Sequence, residues 1–212
     1  MLKQYIKQAI WHLRENPVVS CISLIGTALS ICMIMIVIIT LQVRTADCEP
    51  EVNRSRSLYV PNMSMRAKGD ASGNSANSSM SVQTGRECFK PLTSAEAVTL
   101  ISNISKVRAS LPAGNKSTVD MIQTDEAFWK VFSFRFLDGK PFTESDFNSG
   151  LPKVVVTASV ARRLFGKTNV AGQHIELNHA DFQICGVVAD VSMLATDAYA
   201  QVWIPYTAGS AE

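Results

Sequence analysis

The sequence predicts an α+β protein, with one N-terminal transmembrane helix followed by a mixed α/β extracytoplasmic domain. Three observations carry this. The run Val18 to Val43 holds no charged residue and exceeds the about 20 apolar residues that cross roughly 30 Å of hydrocarbon. After Arg44, short β-branched stretches mix with short helical ones, without a strict strand-helix-strand rhythm. The formal net charge is only +2 and no basic run occurs, which argues against nucleic acid as a partner.

Residues 1–16 read as a cytoplasmic amphipathic helix. Leu2, Tyr5, Ile6, Ala9, Ile10 and Leu13 recur at helical spacing, with Lys3, Gln4, Lys7, Gln8 and Arg14 facing away and Trp11 off the apolar stripe. Such a helix suits the membrane interface, with Trp11 as a headgroup anchor. Lys3, Lys7, Trp11 and Arg14 also make a candidate coupling face for a cytoplasmic partner. Asn16-Pro17 then breaks the pattern, and Pro17 suits the first turn of a new helix.

Residues 17–46 are the expected membrane helix. Lys3, Lys7 and Arg14 precede it, while Asp47, Glu49 and Glu51 accompany Arg44 after it, so its N-terminal side belongs in the cytoplasm. The run is too long for the 7–15-residue core of a cleaved signal, and Asp47 spoils the only lipoprotein-like site. Ser20, Ser23, Thr27 and Ser30 share one face, and Gly26 with Ser30 forms a small-xxx-small pair. Small and hydroxyl residues let helices approach closely in lipid, so this is a candidate helix-packing face. The plainer reading is that Ser and Thr are tolerated there.

Residues 47–212 form the external domain. Ser57 to Val60 reads as its first strand. A Ser-, Asn- and Gly-rich stretch near 64–88 reads as a disordered loop. Thr93-Ser94-Ala95-Glu96 resembles a capping box and predicts a helix to Ile104. Ser117 to Gln123 alternates as a strand, Asp125 to Phe132 suits a short helix, and Ser133 to Leu137 is extended before a turn at Asp138-Gly139. Lys153 to Thr157 is a β-branched strand, followed by a helix from Ala158 to Phe165 that Gly166 closes. Strands are expected at His174 to Leu177, Phe182 to Val188 and Gln201 to Ile204. Phe128, Phe132, Phe134 and Phe136 with Val154 and Val156 are the expected core.

The sequence contains no recognisable catalytic constellation. Gly166-Lys167-Thr168 mimics the end of a phosphate loop, but Ala161 stands at the first glycine and a helix precedes rather than follows it. His12, His174 and His179 lack metal-ligand spacing, and no Gly-x-Ser-x-Gly elbow occurs. No cofactor is expected. Among the five cysteines, Cys21 and Cys32 lie in the apolar run and Cys185 in a strand. Cys48 and Cys88 are free to pair in an oxidising compartment, though nothing in their spacing demands it.

Residues 124–206 carry a recognisable series. It comprises Thr124-Asp125-Glu126-Ala127-Phe128-Trp129-Lys130-Val131-Phe132, then Phe134-Arg135-Phe136-Leu137-Asp138-Gly139-Lys140-Pro141-Phe142. Lys153 to Thr157, Ala161-Arg162-Arg163-Leu164-Phe165-Gly166, Phe182 to Val191 and Val202-Trp203-Ile204-Pro205-Tyr206 complete it. In this order, behind one N-terminal apolar helix, the series resembles the periplasmic core domain of MacB/FtsX-type ABC transporter permeases. The resemblance implies a permease dimer in the bacterial inner membrane, working with a separate or fused cytoplasmic ABC ATPase whose hydrolysis moves the external domain. Export of antibiotics, peptides or lipoproteins, or control of wall hydrolases, are the implied uses. Family members carry three further membrane helices after this domain, so the chain, ending at Glu212, resembles the N-terminal part of a permease. The alternative is a membrane-anchored external binding or signalling module without transport activity.

Overall fold

The computed structural model describes residues 4–5, 11, 15–47, 49–66, 75–111 and 114–208. It divides into two units, Met1–Ala46 and Asp47–Glu212.

The first unit is dominated by helix α1, Pro17–Thr45, with Asn16 at its N-cap and Pro17 in its first turn. Pro fits there because its missing N–H would be unpaired in any case. Residues Pro17–Val43 are long and apolar enough to cross a membrane. Gln4, Tyr5, Trp11 and Glu15 are helical. Most of the amphipathic helix expected over 2–14, including Lys3, Lys7 and Arg14, lies outside the described residues.

The second unit begins with an irregular segment. Ser57 to Val60 is not the first strand: a 3-10 turn at Arg54–Arg56 precedes it, and the Ser57 hydroxyl donates to the Asn53 carbonyl at 2.8 Å. The alternation at 57–60 finds no neighbouring strand to pair with. Pairing starts at β1, Asn62–Met65, which runs antiparallel to β2, Ala76–Ser79. The disordered loop expected near 64–88 therefore meets ordered structure on both flanks, and residues 67–74 lie outside the described residues. Beyond β2, Val82 to Phe89 is helical, and Ser81 caps it by accepting from the Thr84 amide at 3.1 Å. Local side-chain caps of this kind let Ser-rich sequence hold a turn without a large core.

The helix expected from Thr93 to Ile104 does not form. Its second half, rich in Val98, Thr99, Ile101 and Ile104, runs extended beside the end of strand β4, Lys116–Thr124. Ser102 donates its amide to the Gln123 carbonyl, its hydroxyl accepts from the Gln123 amide, and Ile101 bridges Thr124. β-Branched residues and a waiting strand end outweigh a capping-box pattern at the start.

The main sheet has seven strands in the order β5-β8-β6-β9-β4-β3-β7. Besides β4 these are β3 (Ser105–Ser110), β5 (Phe136–Gly139), β6 (Lys153–Thr157), β7 (His174–Leu177), β8 (Ala180–Val188) and β9 (Val202–Pro205). β7 pairs with both β3 and β8, so the ladder closes on itself, leaving β5 as an outer edge. β4 runs parallel to β9, and β6 parallel to β8. Three short helices accompany the sheet: α2 (Phe128–Val131), α3 (Glu144–Asn148) and α4 (Ala158–Phe165). α3, which the sequence reading passed over, opens with a capping box between Thr143 and Asp146. α4 ends at Gly166 with φ +73°, the left-handed cap expected of glycine. Asp138-Gly139 is not a turn between elements. Both residues pair with β8 across a register shift, and a Cβ on Gly139 would strike the Cys185 carbonyl oxygen.

The sheet buries both faces. Val154 and Val156 pack with Val119, Val202, Ile184 and α4 residues Val160 and Leu164. Val155, between them, packs on the other face with Ile122, Trp203, Phe128 and Phe132. The expected core was therefore right about the residues inside and wrong about their grouping. Side chains alternate across a strand, so Val154 and Val156 turn away from the phenylalanines. Phe134 and Phe136 are only half-buried against that aromatic cluster.

Candidate functional site

Two buried carboxylates pin chain segments to the domain core. The first is Glu51, four residues past Asp47 and 1% exposed. One oxygen, Oε2, accepts from Arg54 Nε at 2.6 Å and pairs with Arg54 Nη2 at 2.5 Å. The other, Oε1, accepts from the backbone amides of Asp197 and Ala198 at 3.2 and 3.1 Å. Arg54 Nη2 also donates to the Leu194 carbonyl at 2.9 Å. Both carboxylate oxygens are thus used, which is what a buried charge requires. Pro50 adds a carbonyl that accepts from the Ser133 amide at 2.8 Å. Asp47 closes the start of the segment: its two oxygens accept from the Ser55 amide and hydroxyl, each at 2.9 Å. These bonds, the amide first, hold the Asp47 carboxyl below the usual carboxylate range. Burial and the Glu51 charge push Asp197 above it, while Arg54 opposes that rise.

The second carboxylate is Asp125, fully buried at the end of β4. It accepts from the Thr99 hydroxyl at 2.6 Å and the Leu100 amide at 3.1 Å, and pairs with Lys90 Nζ at 2.8 Å. Burial works against the Lys90 charge, but Asp125 and Glu126 outweigh it and raise its pKa. Asp125 therefore fastens the segment 85–104 to the sheet as Glu51 fastens the segment 47–57.

The helix-packing candidates lie on α1. Thr27 donates its hydroxyl to the Ser23 carbonyl at 3.0 Å, and Ser30 to the Gly26 carbonyl at 2.8 Å. These hydroxyls are satisfied within their own helix, the condition for placing them in lipid. A Cβ built on Gly26 meets nothing within 4 Å, and Ser23, Gly26, Thr27 and Ser30 are exposed, Ser20 less so. Of the coupling candidates, Trp11 is helical and 58% exposed, whereas Lys3, Lys7 and Arg14 lie outside the described residues. Cys48 does too, and Cys88 is a free, exposed thiol. Cys185 packs under β6, and burial pushes its thiol up to about 12.

Helix α4 runs into Gly166-Lys167-Thr168, so a helix precedes these residues, the reverse of a phosphate loop. Glu51 and Asp125 were missed as site residues in the sequence. A signal was present in one case only. Glu51-Val52-Asn53-Arg54 places opposite charges three residues apart, a spacing that brings them together on any helical turn.

The fold built here is shared. The MacB-like periplasmic core domain family matches residues 20–212, and the chain belongs to that family. Its similarity to the ABC transporter permease YknZ of Bacillus subtilis is 26% identity over 113 residues, 50% of this chain and 28% of that one. With the macrolide export ATP-binding/permease protein MacB of Nitrobacter winogradskyi it shares 25% identity over 198 residues, 88% of this chain and 28% of MacB. With the pyoverdine export ATP-binding/permease protein PvdT of Pseudomonas aeruginosa it shares 31% over 85 residues, 39% of this chain and 13% of PvdT. These matches span 28% or less of the relatives' own length. Among solved structures, the extracellular domain of YknZ aligns with a TM-score of 0.47 and 19% identity, covering 55% of this chain and 58% of that one.

Proposed function

We propose that the chain is the N-terminal part of the permease subunit of a MacB/FtsX-type ABC transporter. On this reading α1 anchors it in the bacterial cytoplasmic membrane, with Met1 in the cytoplasm and the domain in the periplasm. The subunit works as a permease dimer beside a cytoplasmic ABC ATPase, and ATP hydrolysis moves the external domain to drive export. The observation that carries the reading is a family match over residues 20–212 that includes most of a 27-residue apolar helix. Macrolide export by MacB and pyoverdine export by PvdT favour export as the direction.

Glu51 supplies the mechanical step. Helix α1 ends at Thr45, and the segment that follows is held to the 194–198 loop by Glu51 and Arg54. Those bonds tie the segment that follows the helix to the sheet domain. The face Ser20, Ser23, Gly26, Thr27 and Ser30 packs on neighbouring membrane helices. Lys3, Lys7, Trp11 and Arg14 receive the ATPase, which supplies the hydrolysis this chain lacks. Charge reversal at Lys7 and Arg14 in the full-length permease tests the reading, with membrane topology checked in the same variant. Loss of ATPase co-purification supports it. Undiminished co-purification and ATP-dependent transport in the correctly inserted variant rule out this coupling face.

A further inference from the structure

The bend after α1 exposes large apolar side chains that the domain core does not use. Leu58 is 89% exposed, Met193 73%, Leu194 59% and Val60 42%. They belong to two segments brought together by the Glu51 and Arg54 bonds. Arg54 holds the Leu194 carbonyl at 2.9 Å, and Glu51 holds the amides of Asp197 and Ala198. Burial first, and then the Glu51 and Asp197 charges, raise the pKa of Tyr59, while Arg54 opposes the rise. Exposed apolar side chains on two adjoining segments point to a contact with protein or lipid.

The chain path selects between them. Ser55 donates twice to Asp47, so the segment doubles back to within hydrogen-bonding reach of the residue after Ala46. Leu58 is three residues beyond Ser55, at most about 10 Å along the backbone. If Pro17–Val43 crosses the bilayer, Asp47 stands at headgroup level, in a polar layer roughly 5–8 Å deep on each side. Leu58 and its neighbours are then tethered within reach of that layer. The exposed charges around them are of both signs, Arg56 against Glu49 and Asp197, so no headgroup charge is selected.

We propose that the bend carrying Leu58, Val60, Met193 and Leu194 rests on the outer surface of the lipid bilayer. This rests on the reading of α1 as a membrane span, and it adds a second, peripheral membrane contact to the anchor.

Spin labels test it on the full chain reconstituted in phosphatidylcholine vesicles. Single cysteines, Leu58→Cys and Met193→Cys, are placed in a background with native cysteines changed to alanine. Leu58, Met193 and Lys106 are exposed, and folding of each variant is checked by circular dichroism. A separate variant that keeps Cys32 as its single cysteine reports α1, and Lys106→Cys reports open water. Collisions with lipid-soluble oxygen and with a water-soluble nickel chelate are compared. Labels at 58 and 193 that meet oxygen freely and the chelate several-fold less than the label at 106 support the contact. Labels at 58 and 193 that meet the chelate as freely as the label at 106 overturn it. Labels shielded from both reagents overturn it too, in favour of a protein interface. If the Cys32 label itself meets the chelate, the anchor reading fails and takes this contact with it.

Discussion

Glu51 and Asp125 solve the same problem from opposite sides. Glu51 sits on the attached segment and takes amides from the core; Asp125 sits on the core and takes an amide and a hydroxyl from the attached segment. Their counter-ions differ more. Arg54 is 11% exposed in its side chain, while Lys90 is 27% exposed. The more enclosed guanidinium reaches water less readily than the more exposed ammonium. The comparison separates a tighter fastening from a looser one, and the tighter one lies on the segment that follows α1 in sequence.

The largest effect expected is at Glu51. Glu51→Ala removes the carboxylate partner of Arg54 and of the Asp197 and Ala198 amides, and should cost about 3–5 kcal/mol of domain stability, read from denaturant unfolding of the full chain in detergent. Asp125→Ala should cost less, about 1.5–3 kcal/mol, because Lys90 turns to water. Equal losses would erase the distinction drawn here. Phe128→Ala sets the scale for an uncharged neighbour. It empties a fully buried site in the aromatic cluster and should cost about 3–5 kcal/mol without altering the segment 47–57.

Much of this was legible in the sequence, for reasons that differ along the chain. Helix α1 needed only length and apolarity. Strands β6 and β8 and helix α4 announced themselves by β-branched runs and a glycine cap. β3 was passed over although Lys106, Arg108 and Ser110 alternate with Val107 and Ala109, because Val107 is its single β-branched residue. The helix expected after Thr93 failed because a strand end elsewhere in the chain claimed its backbone. The two-sided burial of β6 could not be read from Val154-Val155-Val156 alone, since an unbroken apolar run does not say which face meets which partner. Of the candidate site, the α1 face was visible as a pattern. Glu51 and Asp125 were not, because their partners lie 146–147 and 25–26 residues away.

The smallest effect concerns pH, and the two flanking carboxylates have opposite signs. Asp47 is held low, so its contribution is present above the usual carboxylate pKa of about 3.9 and is lost as pH falls through its lower folded value. Asp197 is held high, so its contribution is present below about 3.9 and is lost as pH rises through its folded value. Asp197→Asn should therefore raise the unfolding temperature at pH 7 and leave it unchanged at pH 3. A lowered temperature at pH 7 would mean that the charge at Asp197 is needed.

The most direct test of the tighter fastening is hydrogen exchange at the amides of Asp197 and Ala198 in the full chain. The account predicts slow exchange in the wild type, close to that of strand β9. In Glu51→Ala the two amides should exchange fast while β9 stays protected. Fast exchange in the wild type, or protection that survives Glu51→Ala, would contradict the claim that Glu51 locks the segment after α1 to the domain.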